Sequence, residues 1–130
     1  MPLDYSIDKS SGMLRMMGQG TILVGDIEAC FQRVLADPDY CGVDRELGDF
    51  RDATFSLNPE DVNRLAQITR KRSPEHQIQR RAIVVASELH YGLARMFSQL
   101  VAPSGQEVRP FRDIDEAQRW LDGDLAGEGT

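Results

Sequence analysis

Residues 82 to 86 read Ala82-Ile83-Val84-Val85-Ala86, an apolar run without alternation, with Arg80-Arg81 before it and Ser87 after it. A strand with one wet face alternates polar and apolar residues, so an unbroken β-branched run marks a strand covered on both faces. That covering takes helices packed on a parallel sheet. The chain supplies one at once: Ser87 is placed to cap a helix whose Leu89, Leu93, Met96, Phe97, Leu100 and Val101 recur at helical spacing until Pro103 and Gly105 stop it. Residues 82 to 86 are expected at the centre of the sheet.

The other elements arrange themselves around this unit. Leu3, Tyr5 and Ile7 alternate with Asp4, Ser6 and Asp8, Lys9 to Gly12 is turn chemistry, and Met13 to Gly20 reads as extended, which predicts a hairpin over residues 3 to 20. Asp26 is positioned as a cap for a helix carrying Ile27, Cys30, Phe31, Val34 and Leu35, ended by Pro38. Val43 to Phe50 is expected as a central strand, although Arg45, Glu46, Gly48 and Asp49 make it polar for that place. Asn58-Pro59-Glu60-Asp61 opens a second helix with Val62, Leu65, Ala66 and Thr69 inward and Arg70-Lys71-Arg72 at its carbonyl end. Glu107 to Phe111 can form a last short strand, which belongs on an edge or ends at Pro110 because proline has no amide to donate. Asp113-Ile114-Asp115-Glu116 is a capping box for a fourth helix burying Ala117, Trp120 and Leu121. The order ββαβαβαβα predicts an α/β single domain, a mixed sheet of about five strands with four helices. It covers residues 1–122, with a flexible C-terminal tail over 123–130.

With 130 residues, 41% of them hydrophobic and 28% charged, the chain fits one globular domain. A net charge of −6 argues against a global grip on nucleic acid or an anionic membrane. Cys30 and Cys41 cannot make a disulfide framework, Cys30 falls on an apolar stripe, and no basic stretch followed by an apolar run stands at the start. A cytoplasmic protein that is not integral to a membrane is expected.

The last third carries a resemblance. Arg81 to Ser87, His90 to Phe97, Gly105 to Asp113, Glu116-Ala117 and Trp120-Leu121, together with Gly20 to Ile27 and Asp49-Phe50-Arg51-Asp52, resemble the SpoIIAA-like family of small bacterial proteins. The likeness covers roughly residues 3 to 122, and it implies a fold similar to STAS domains and to the lipid-binding Sec14 domain. Glu46 and Gly48 depart from it, standing where the family has aliphatic residues. In SpoIIAA proteins a serine in the loop after the central strand is phosphorylated by a partner kinase. The corresponding segment here, Asp52 to Ser56, lacks the Asp-Ser pair but offers Thr54 and Ser56.

In a parallel sheet ligands gather beyond the carboxyl ends of the strands. That places Asp49, Arg51, Asp52, Thr54, Ser56, Ser87, His90, Tyr91 and Arg112 on one expected rim for a partner or a small anion. The same residue types also build ordinary helix starts, with Asp49 paired to Arg51 or Arg112. Residues 64 to 81 hold Arg64, Arg70, Lys71, Arg72, Arg80 and Arg81 against the single acid Glu75, a net of +5 that leaves −11 elsewhere. This basic patch suits an acidic partner, while the lack of aromatic residues between 56 and 90 argues against nucleic acid. The stripe from Leu89 to Leu100 can line an apolar cavity or simply be core.

Enzyme signatures are missing: His76 and His90 lack metal-pair spacing, no Gly-x-Ser-x-Gly or Walker loop occurs, and Gly18-Gln19-Gly20 is not a dinucleotide fingerprint. No metal and no cofactor is expected, and His90 reads as a surface polar residue. The expected role is a non-catalytic binding or regulatory module that docks a protein partner or a second copy of itself. The alternative is a carrier of a small lipid or anionic ligand, and a third is an unidentified enzyme.

Overall fold

The computed structural model describes residues 2–123. The tail expected over 123–130 therefore lies, apart from Gly123, outside the described residues. Strands β1 (Leu3–Asp8), β2 (Met13–Leu23), β3 (Arg45–Ser56), β4 (Arg80–Val84) and β5 (Glu107–Phe111) form one sheet in the spatial order β1-β2-β3-β4-β5. The β1–β2 hairpin is antiparallel and the other three pairings are parallel. Helices α1 (Val24–Ala36), α2 (Pro59–Arg70), α3 (Glu88–Val101) and α4 (Ile114–Leu121) complete the expected ββαβαβαβα order.

Side chains alternate across the sheet and divide the core in two. Leu14, Met16, Phe50 and Val85 join the larger cluster with α1, α2 and α3, while Met13, Leu47, Ala82 and Val84 join a smaller one with Trp120 and Leu121 of α4. Both faces of β4 are thus covered, as the unbroken run requires. The middle of the sheet, however, is β3, and β4 lies one place nearer the edge. Edge placement of β5 agrees with Pro110, which has no amide to donate.

Local signals fare differently at the helix starts. Asn58 and Asp61 form a reciprocal capping box on α2, at 2.8 and 3.0 Å. Ser87 caps α3 by accepting from His90 N at 3.1 Å. Asp113 is a simple cap on α4, accepting from Asp115 N at 2.8 Å, rather than half of a capping box. Asp26 is not the cap of α1: β2 runs on to Leu23, the helix starts at Val24, and the Asp26 carboxylate reaches back to accept from Leu23 N at 2.9 Å. Ile22 is fully buried, which keeps the strand in the sheet past Gly20.

The polar β3 also has a physical account. Gly48 leaves room for the Phe50 ring, since a Cβ there would meet the ring at 2.6 Å, and a Cβ at Gly18 on β2 would meet it at 2.7 Å. One aromatic ring therefore occupies the space that two aliphatic side chains would fill. Gly48→Ala is expected to cost about 1–3 kcal/mol by overpacking. In a Phe50→Leu background the same change should cost less. Urea denaturation of the four proteins measures this, and an equal cost in both backgrounds would show that the ring is not the obstacle.

Candidate functional site

The strand register sets the rim. Asp49, Val84 and Phe111 lie side by side across β3, β4 and β5, so Asp49, Ser87 and Arg112 share the carboxyl end of the parallel strands. Beyond Asp49, β3 loses its β4 partner but keeps pairing with β2 as far as Ser56. The segment Asp52 to Ser56 is therefore strand and not the loop expected from the resemblance. Thr54 and Ser56 are exposed on it.

Charged groups at the rim satisfy one another. Arg51 donates from Nε and Nη2 to the two oxygens of Asp49 at 2.9 and 2.8 Å. That hydrogen bonding holds the Asp49 carboxyl below its ordinary range. Arg112 pairs with Glu88 and lies over the Tyr91 ring, 4.2 Å from its centre. Asp52 is exposed and Tyr91 half-buried beneath Arg112.

His90 is a correction. Far from a surface group, it is 7% exposed, and its Nε2 accepts from Phe55 N at 3.2 Å, which makes Nε2 the unprotonated ring nitrogen. The imidazole thereby ties the overhanging end of β3 to the first turn of α3 and packs edge-on against the Phe55 ring. Leu89, counted on the inward stripe, is instead 69% exposed beside it.

The basic stretch does not form one patch. Arg70 and Lys71 are exposed, Arg64 pairs with Glu28 at 2.8 Å, and Arg80 donates to Trp120 O at 2.7 Å while stacking over its ring. Arg72 and Arg81 are both buried, Arg81 because the even–odd alternation of β4 sends it inward with Ile83. Opposite Arg81 on β3 stands Glu46, and its Oε1 lies 3.1 Å from Arg81 Nε. The contact is an ion pair whose alignment falls short of a hydrogen bond, and Arg81 Nη1 and Nη2 have no partner. Arg72 donates to Tyr40 Oη at 3.1 Å and lies over the Phe31 ring. Burial lowers the Arg72 guanidinium pKa, and the nearby charge of Arg81 lowers it further.

Sequence reasoning missed this buried cluster. Its signal was present in the parity: Glu46 shares a face with Phe50, and Arg81 with Ile83. Glu46 and Arg81 border a half-enclosed apolar cavity of about 90 Å³ between the sheet and α1, α2 and α3, whose walls include Phe31, Phe50, Leu65 and Phe97. Of the α3 stripe, Leu93 and Phe97 reach it and Leu89 does not. Cys30 is buried in the core, where loss of hydration pushes its thiol pKa up. Among the described residues no cluster of metal-ligating side chains occurs, and no helix is long and apolar enough to cross a membrane.

Neither a family model nor a curated protein matches the sequence. Solved structures do match the fold, among them the following two. An uncharacterized protein of the DUF3478 family with a SpoIIAA-like fold, from Shewanella loihica PV-4, superposes with a TM-score of 0.56 at 19% identity, covering 92% of this chain and 93% of that one. An anti-sigma factor antagonist from Mycobacterium paratuberculosis gives 0.55 at 15% identity, over 92% and 94%. With strand order, register and both core layers in place, these likenesses show that the chain is a single α/β domain with the SpoIIAA-like fold.

Proposed function

We propose that the protein is a non-catalytic, STAS-like regulatory module that docks a protein partner at the carboxyl end of its parallel strands. The first turn of α3 carries this reading. Leu89 stands in water, 69% exposed, between Glu88 with its Arg112 partner and the anchored His90. A large apolar side chain on a rigid helix start, bordered by charged groups, suits the centre of an interface with a polar rim. Asp49, Arg51, Asp52, Thr54, Ser56, Ser87, Tyr91 and Arg112 supply that rim. The anti-sigma factor antagonist of like fold supports a regulatory role exercised on proteins.

Leu89→Asp tests the proposal without touching the core. At an exposed site in the first helical turn it should shift stability by no more than about 0.5 kcal/mol. Affinity capture at low salt, read by mass spectrometry, should find a protein held stoichiometrically by wild type and lost by both Leu89→Asp and Arg112→Glu. A protein retained by both variants would place the interface elsewhere and overturn the assignment. Recovery of a small molecule with no protein would favour a carrier instead.

A further inference from the structure

We infer that His90 is a proton-operated latch: its neutral imidazole clamps the overhanging end of β3 to the first turn of α3, and protonation of the ring releases the two. The hydrogen bond admits one charge state. Nε2 accepts from Phe55 N at 3.2 Å, so it carries no proton, and the ring is neutral with its hydrogen on Nδ1. A proton added to Nε2 sets donor against donor and leaves the part-buried Phe55 amide without its acceptor. Little else holds this stretch on that side. β4 pairs with β3 no further than Asp49, and beyond it β3 is paired with β2 alone.

The surroundings oppose a charged ring in its closed position. His90 is buried, so an imidazolium there would lose most of its hydration. It stands in the first turn of α3, just past the Ser87 cap, where the free amides form a positive pole. Among the described residues it has no ion-pair partner, because the acids of the neighbouring elements are engaged elsewhere or face water. Glu88 on α3 pairs with Arg112 beyond β5, Asp49 on β3 pairs with Arg51, Asp61 on α2 closes the capping box with Asn58, and Asp52 and Glu60 are exposed. Tyr91, the other titratable group of the turn, lies beneath Arg112. The proton is therefore taken up by a ring that has turned out to water, and acid favours the opened state. Histidine in water changes its charge between about pH 5 and 8, so the latch is closed at neutral pH and opens as the pH falls. The same turn carries Leu89; control of docking by pH thus rests on the reading proposed for that residue, whereas the latch itself belongs to the free chain.

The test uses the intact protein without a partner, so its outcome does not depend on whether Leu89 is the docking residue. Nitrogen NMR of the ring should find Nδ1 protonated and Nε2 bare at neutral pH. Amide exchange, divided by the intrinsic rate at each pH, should show Phe55 losing protection about tenfold between about pH 7.5 and pH 5 while the β4 amides keep theirs. Two variants identify the group responsible. His90→Gln keeps an oxygen able to accept from Phe55 N and does not titrate, so Phe55 should be as protected in acid as at neutral pH. His76→Gln removes the other histidine, which meets Ser73 Oγ near the opposite end of the sheet, and should leave the wild-type response intact. Wild type alone can overturn the inference, by a ring protonated at Nε2 at neutral pH or by Phe55 protection that does not change with acid. An equal loss in His90→Gln, or a response abolished in His76→Gln, would assign the effect to another group and overturn it as well.

Discussion

Replacing Glu46 alone by leucine is expected to lower stability by about 3–5 kcal/mol, while replacing Glu46 and Arg81 together by leucine and methionine is expected to be neutral or stabilising. The asymmetry arises from desolvation. Their side chains are only 6% and 3% exposed, so each charge has lost most of its hydration and is held by the other. Without Glu46, Arg81 and Arg72 remain as two buried guanidinium groups with no carboxylate between them. The double replacement removes one of those charges together with its partner and returns β3 to the aliphatic pattern of its neighbours. Urea midpoints of the three proteins measure the effect. A mild cost for the single change would mean that water reaches Arg81 and that the pair is not a buried one.

Trp120→Ala is expected to cost about 3–5 kcal/mol, with the loss beginning at α4. Trp120 is buried in the smaller core cluster with Leu47, Ala82 and Val84, and Arg80 and Arg109 lie over its indole. The helix has only eight residues, and isolated helices below about 12–15 residues are marginal in water. It persists because that indole covers the sheet face opposite α1, α2 and α3. Hydrogen exchange in the variant should show residues 114–121 unprotected while β3 and β4 retain slow amides. Uniform loss of protection would instead show that the two core layers fold as one unit.

Much of the architecture was legible along the chain, because its determinants are local. The caps at Asn58 and Ser87, the edge proline Pro110 and the unbroken run in β4 each record the environment of their own segment. The rim was legible to the same extent: Asp49, Ser87 and Arg112 do share one end of the sheet, since parallel strands place their carboxyl ends together. Where each side chain points was harder to read. His90 and Leu89 are neighbours in sequence, yet one is buried and the other in water, because successive residues of a helix point in different directions and the buried face of α3 runs through His90, Ala94, Phe97 and Val101.

Sequence alone determined the order of strands and helices, since a strand or helix writes its period into its own side chains. Only the tertiary structure decided the fate of the charges. Glu46 and Arg81 stand 35 positions apart, and nothing in either segment names the other; the parallel register of β3 on β4 makes them opposite neighbours and seals them beneath the helices. The same register turned Arg81 from a member of an expected surface patch into a buried charge at the border of a cavity, because pairing between distant segments is a property of the assembled sheet and of no strand within it.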